Sequence, residues 1–434
     1  MEGRAGRLIG RRLLAGLLLL VVFGWVASPG LAQAENPTPV ATAPAMASGG
    51  AITVLQSTAR ADFPRALTFH LQARSSAQIV SIRIAYQIQG DPVTYIARVD
   101  FSPASTVDAT YTIDLTRQYY PPGITVQYRW QISDLSGAHL VSQWYSLSVT
   151  DPRFFWRDRT SGPITLHWYQ GDDSFADAVL ATANQALTTA SRAAGQSSVR
   201  PVQIYLYANS DDFRGALGPG ADQWVGGQTF PLYRVVLLLT PPDDVSQAQR
   251  SVAHEMTHMA IDTTAEDPYG ALPTWLSEGM AMVAEGPMDP VFVQALNSAA
   301  RSGRLLSIQS LSGNFPSSTE EATLAYAESG SIVDYFIRTY GQQKLAVLIR
   351  AFRAGSSSDE AFRAATGLST LEFQHAWEAS IGAVPSGSTA SSGSTAPSGP
   401  SGAGSIITRI IAAPVAFLLR LLAAVLQLFS MTKS

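Results

Sequence analysis

His254-Glu255-Met256-Thr257-His258, followed by Trp275-Leu276-Ser277-Glu278-Gly279, decides how the second half of this chain folds. On a helix, residues i and i+4 share a face, so His254 and His258 can present both imidazoles to one point while Glu255 projects beside them. Two imidazoles do not complete a catalytic zinc site, which takes three protein ligands and keeps one position open. Glu278 supplies the third. The twenty positions that separate it from His258 let one helix end, the chain turn, and a second helix bring a carboxylate to the same ion. The chain of 434 residues contains no cysteine, which leaves imidazole and carboxylate as its zinc ligands and excludes disulfides. The expectation is one zinc ion per chain held by His254, His258 and Glu278, with Glu255 as general base. Such a site performs zinc-dependent hydrolysis, above all of peptides.

The pairing of H-E-x-x-H with a later W-L-x-E-G resembles the gluzincin metallopeptidases, a group that includes thermolysin-like and aminopeptidase N-like enzymes, and most of all the bacterial peptidase MA-like domains. The resemblance extends from Ile164 to Ile381 and includes Ala325-Tyr326-Ala327-Glu328-Ser329. It implies an α+β zincin-type (thermolysin-like) domain with a helical C-terminal lobe, zinc ligation by His254, His258 and Glu278, and proton transfer by Glu255. Tyr326 is the candidate for stabilising an oxyanion opposite the metal, as a phenol or imidazole does in gluzincins. Two departures matter. Thermolysin-like enzymes carry an Asp four residues after the ligand Glu to support a zinc-bound His, but Met282 stands here, so that partner must come from elsewhere. Aminopeptidase N-like enzymes carry an acid in a Gly-x-Met-Glu-Asn segment to hold a free amine. Here the chain reads Gly226-Gly227-Gln228-Thr229-Phe230, which favours internal cleavage. The glycines of Trp224-Val225-Gly226-Gly227 suit the approach of a substrate backbone to a strand edge.

The two ends of the chain point outside the cytoplasm. Arg4, Arg7, Arg11 and Arg12 precede an apolar run from Leu13 to Ala27, and Ala32-Gln33-Ala34 offers a small-x-small cleavage site, so residues 1–34 read as a signal peptide. Residues 35–50 are a Pro/Ala/Thr-rich linker. At the other end, 386–405 is a Ser/Gly/Pro-rich linker too polar to pack a core. Residues 406–430 then read as a C-terminal membrane helix, with Arg409, Arg420 and Gln427 within about 20° of one another on its surface. Spanning and in-plane placements both satisfy that pattern. The formal net charge of −4, from 29 basic and 33 acidic residues, gives no reason to expect nucleic acid as a partner. The partners expected are a peptide or protein substrate and the membrane. Oligomeric state is left open.

Between the linkers, residues 51–152 alternate apolar and polar. Val80, Ile82, Ile84, Tyr86 and Ile88 do so, as do Ile124, Val126, Tyr128 and Trp130. About seven short strands, including 66–74, 80–88, 93–101, 109–115 and 141–149, predict an all-β immunoglobulin- or fibronectin-like sandwich serving as a spacer. Trp144, Tyr145 and Trp156 are assigned to core or junction packing. The peptidase domain then covers 153–385, with strands at 164–169, 202–207 and 233–239 and a helix over 174–194. Asp244 caps the motif helix, Pro273 sits in the first turn of the Glu278 helix, and Ser369/Glu372 form a capping box. His70, His139, His167 and His375 are not expected to bind metal. Two other functions fit the same sequence: a surface-binding protein acting through its β-sandwich, and a zinc hydrolase of a non-peptide amide.

Overall fold

A single long strand organises the N-terminal half. In the computed structural model, which describes residues 41–42, 48–49, 52–195, 200–218, 226–261, 272–316 and 318–384, Ala66–Ile88 forms one strand, β4. The signal peptide, most of the first linker, Trp224 and Val225, the 386–405 tract and the 406–430 helix lie outside the described residues. Around β4 run β1 (Ala41–Thr42), β2 (Ser48–Gly49), β3 (Ile52–Asp62), β5 (Thr94–Arg98), β6 (Ala104–Asp114), β7 (Thr125–Asp134), β8 (His139–Val141) and β9 (Tyr145–Ser148). The first part of β4 pairs with β3 and β6, and its second part with β5 and β7, all antiparallel. The expectation of separate strands at 66–74 and 80–88 is therefore corrected. Ser75-Ser76-Ala77 reads as a break, yet the chain passes through it as an irregular stretch where the register shifts between Arg74 and Ile79. The nine strands form one hydrogen-bonded network.

A second sheet follows, in the order β10 (Arg157–Ser161), β11 (Ile164–Trp168), β12 (Val202–Tyr207), β14 (Val235–Leu239), β13 (Gly227–Phe230). The three inner strands are parallel, and both edge strands, β10 and β13, run antiparallel to their neighbours. Helix α1 (Asp173–Ala193) crosses from β11 to β12, started by Asp172, whose carboxylate accepts the Phe175 amide at 2.9 Å. A short α2 (Ser210–Arg214) follows β12. The motif helix α3 (Val245–Ile261) packs with α1 on one face of this sheet, over Ile204, Leu206, Val236 and Leu238.

The opposite face of the second sheet is covered by the β region. Tyr205, Tyr207, Phe230, Val235, Leu237 and Leu239 join one continuous core with Phe69, Tyr128 and Trp130. Close approaches lock the two together. Gly123, at φ +90°, passes so near Tyr205 that a Cβ there would lie 2.8 Å from the ring, and the Tyr207 hydroxyl donates to the buried Asp151 carboxylate at 3.0 Å. The Tyr119 hydroxyl donates to the Ala216 carbonyl at 2.5 Å, and the indole of Trp156 donates to the Asp151 carbonyl. Residues 52–152 thus share a core with the second sheet. Trp156 and Tyr145 are packed as expected, whereas Trp144 lies at the surface beneath the Arg129 guanidinium, 4.5 Å from its ring centre.

The remainder is helical: α4 (Thr274–Ala284), α5 (Pro290–Ser302), α6 (Thr319–Tyr340), α7 (Gln342–Arg353), α8 (Ser358–Thr366) and α9 (Thr370–Ser380). Their boundaries follow from local chemistry. Ser357/Glu360 and Ser369/Glu372 form capping boxes, and Gly303 and Gly367 end α5 and α8 in the left-handed conformation. Pro273 occupies the cap of α4, one place before the first turn to which its fixed φ had assigned it. Among the described residues, no helix is long and apolar enough to cross a membrane.

Candidate metal centre

Helix α3 is buried almost all round, so it is held from every side. Asp244 accepts the Gln247 amide at 2.9 Å at its start. At its other end, the Arg234 guanidinium donates to the Met259 carbonyl and that of Arg353 to the Ile261 carbonyl, at 3.1 and 2.8 Å. Cations at a helix C-terminus satisfy its last carbonyls and oppose its dipole. Helix α4 crosses α3 and brings Glu278 to the two histidines. Gly279 has a steric role in this: a Cβ there would collide with the Ser329 carbonyl, so the glycine lets α6 lie directly against α4. That contact carries Tyr326 of α6 into the neighbourhood of the same group.

His254, His258 and Glu278 form a triangle. The two Nε2 atoms are 3.2 Å apart, and Glu278 Oε2 lies 3.5 Å from His254 Nε2 and 3.4 Å from His258 Nε2. Zinc–nitrogen and zinc–oxygen bonds of ~2.0–2.1 Å in a tetrahedron place ligand atoms about 3.3–3.4 Å apart. The three atoms therefore fit one face of a zinc tetrahedron, and all three residues are buried. Buried Glu278 Oε2 has no hydrogen-bond partner, nor does Oε1 of Glu255, whose carboxyl feels the charges of His254, His258 and Glu278.

The ring tautomers follow from the outer partners. His254 Nδ1 lies 2.8 Å from Glu285 Oε1, so when the ring is neutral, as a metal ligand must be, the hydrogen sits on Nδ1 and Nε2 keeps its lone pair. His258 Nδ1 lies 3.1 Å from Ser277 Oγ, which orients the second ring; a hydroxyl both donates and accepts, so this contact is compatible with a hydrogen on Nδ1 without requiring it. Glu285 is in turn held by Arg250, whose guanidinium reaches its Oε2 at 3.0 Å and donates to the Pro287 carbonyl at 2.8 Å. The partner missing at Met282 is therefore Glu285, seven residues after Glu278 and on the same face of α4 and its cap. Such carboxylate–histidine contacts fix ring orientation and raise ligand basicity. Glu285→Gln should lower zinc affinity roughly 10–100-fold with the fold intact. Competition with a fluorescent zinc chelator measures this, and unchanged affinity would reduce Glu285 to a packing role.

Ionisation is strongly shifted at this centre. Burial acts to lower the His254 pKa, but the Glu278 and Glu285 carboxylates outweigh it and hold the imidazole at about 10 without metal. Burial likewise raises Glu278, but His258 and His254 bring it down to about 2. A carboxylate kept ionised beside converging Nε2 atoms favours a cation at their centre. Glu255 is pushed up by burial against the opposing influence of His254 and His258. Tyr326 is buried, packs edge-on against Phe315 at 5.1 Å, and has its phenol raised by burial and then by Glu278, Glu255 and Glu285.

Residues 182–383 match the family model of the Peptidase MA superfamily. This segment is similar to that superfamily. The matched segment begins within α1 and contains both motifs, Tyr326 and the helices α4 to α9. No match was found among curated proteins. Solved structures similar at low identity include the following three. A two-domain M1 zinc metallopeptidase bound to L-arginine is 11% identical over 74% of this chain and 90% of that one, with a TM-score of 0.34. An M1 zinc metallopeptidase from Deinococcus radiodurans is 14% identical over 74% and 89%, with a TM-score of 0.31. An aminopeptidase N family protein from Idiomarina loihiensis is 8% identical over 74% and 70%, with a TM-score of 0.29.

The other histidines lie elsewhere. His70 contacts Asp108, His139 contacts Ser133, His167 contacts Gln203, and His375 is exposed. Among the described residues, His254, His258 and Glu278 are the one group able to hold a metal ion. Sequence reasoning missed Glu285, Ser277 and Thr229. The Thr229 hydroxyl donates to Glu255 Oε2 at 2.6 Å from the edge strand β13. Of the glycine segment Gly226 and Gly227 are described: Gly227 opens β13, and the Gly226 carbonyl accepts the Leu239 amide at 2.8 Å.

Proposed function

We propose that this chain is a zinc-dependent peptidase of gluzincin type, with His254, His258 and Glu278 as ligands and Glu255 as general base. The observation that carries it is the buried triangle of ligand atoms with an unpartnered Glu255 oxygen beside it. Bound zinc would polarise the scissile carbonyl and acidify the attacking water. Glu255 accepts the proton of that water and delivers it to the leaving amine, a task helped by burial, which raises its pKa and so its basicity. Tyr326 donates its hydroxyl hydrogen to the developing oxyanion, and its raised pKa keeps that hydrogen in place. Among the described residues β13 is the last strand of its sheet, and its outer edge receives an extended substrate. Residues 226–230 carry no acid to hold a free amine, which supports internal cleavage.

Two further parts of the reading rest on sequence alone. Residues 1–34 direct export and 406–430 tether the protein to a membrane. The immunoglobulin- or fibronectin-like character of 51–152 is also proposed; what supports it is the alternating burial of β3, β4 and β7 around one core. A peptide-library digest by the full chain tests the activity. Internal cuts that stop with a zinc chelator and return with zinc are expected, and cleavage indifferent to chelation would end the proposal.

Tyr326→Phe isolates the phenol. It should lower kcat by roughly 10²–10³ while KM and bound zinc stay the same. Activity within a few fold of the parent would leave Tyr326 as core packing against Phe315.

A further inference from the structure

We infer that Thr229 is a positioning residue that gives the two oxygens of Glu255 different tasks: Oε2 is tied to the Thr229 hydroxyl, and Oε1 is the oxygen that takes the proton. The inference rests on the peptidase reading above. β13 is four residues long, with Thr229 opposite Val236 of β14. Side chains alternate across a strand, and the two faces of β13 have different neighbours. Phe230 meets Tyr119 of the β region, its ring 5.7 Å away, while Thr229 faces α3 and the base. The Thr229–Glu255 separation of 2.6 Å is that of a charge-assisted O–H···O⁻ bond, shorter than neutral hydroxyl bonds.

The hydroxyl has one hydrogen, and Glu255 Oε2 receives it. Both residues are essentially inaccessible, and Glu255 Oε1 is buried without a partner. A carboxylate pinned through one oxygen cannot rotate the other away, so Oε1 stays beside the ligand triangle. The donor comes from the sheet edge and the base from the helix. The strand that would carry the substrate backbone therefore also fixes the base.

Thr229→Val removes the donor while keeping a branched side chain, and Thr229→Ser keeps the hydroxyl. We expect Thr229→Val to lower kcat about 10- to 100-fold with KM and zinc per chain unchanged, and Thr229→Ser to stay within a few fold. The Tm of the zinc-free protein should fall by a few degrees in Thr229→Val and recover in Thr229→Ser, because the buried carboxylate loses and regains its donor. Against a Glu255→Gln background, Thr229→Val should cause no further loss of residual turnover, since the two residues act as one unit. Wild-type kcat in Thr229→Val would overturn the inference and leave the peptidase reading standing, as would equal losses in Thr229→Val and Thr229→Ser. Absence of zinc-dependent cleavage in the parent protein would instead remove the peptidase reading on which it rests.

Discussion

Glu255→Gln should keep about one zinc per chain and lose turnover by at least roughly 10²–10⁴-fold, the range that a positioned general base contributes. Glutamine matches the size of glutamate and still offers Thr229 an acceptor, so the packing around α3 is preserved. It cannot accept a proton. Because Glu255 is not one of the three triangle atoms, its loss leaves the ligand set complete. A zinc assay beside initial rates on a soluble peptide reads both quantities from one preparation. A structural zinc site would show no such split, since Glu255 would then be dispensable. Unchanged turnover in Glu255→Gln would remove the proposed mechanism.

Excising residues 52–152 should leave a protein that does not fold cooperatively. Without the β region, one face of the second sheet loses its cover. Phe230, Val235, Leu237 and Leu239 would meet water, together with the rings of Tyr205 and Tyr207. Fully exposing a large apolar side chain costs ~1.5–3 kcal/mol, so the four apolar residues alone amount to roughly 6–12 kcal/mol. That is an upper figure, yet it matches the ~5–15 kcal/mol by which domains are stable at all. Aggregation, binding of a hydrophobic dye and loss of a sharp thermal transition are the expected readouts. A shortened chain that melts sharply and keeps full activity would mean that the second sheet does not need the cover of the β region.

The candidate site was legible where a short spacing fixes geometry. His254 and His258 share a helix face whatever surrounds them, and Glu278 reaches them because a second helix fits into twenty residues. Glu285 was not legible in the same way, because Met282 occupies the place where a partner was sought. The signal was present at two helical turns: Glu278 and Glu285 are seven apart, and Arg250 precedes His254 by four. Thr229 could be found only once β13 was placed in register beside α3. Strand β10 was missed because Arg157-Asp158-Arg159-Thr160-Ser161 has no apolar alternation. It is an edge strand, with Arg157 and Arg159 paired to Asp173 and Asp177 on α1. The docking of the β region had its own trace in Val202–Tyr207. Its aromatic and aliphatic residues leave no polar face, the mark of a strand buried on both sides.

The most direct test of the central claim is the zinc content of the full-length protein and its Glu278→Ala variant, each stripped with chelator and refilled with zinc. One zinc per chain is expected for the parent. For Glu278→Ala, loss of zinc together with activity is expected, in a protein that stays folded because its hydrophobic cores are packed from apolar side chains that do not depend on the metal. Full zinc occupancy in Glu278→Ala would contradict the assignment of Glu278 as the third ligand, and no zinc in the parent would contradict the metal centre itself.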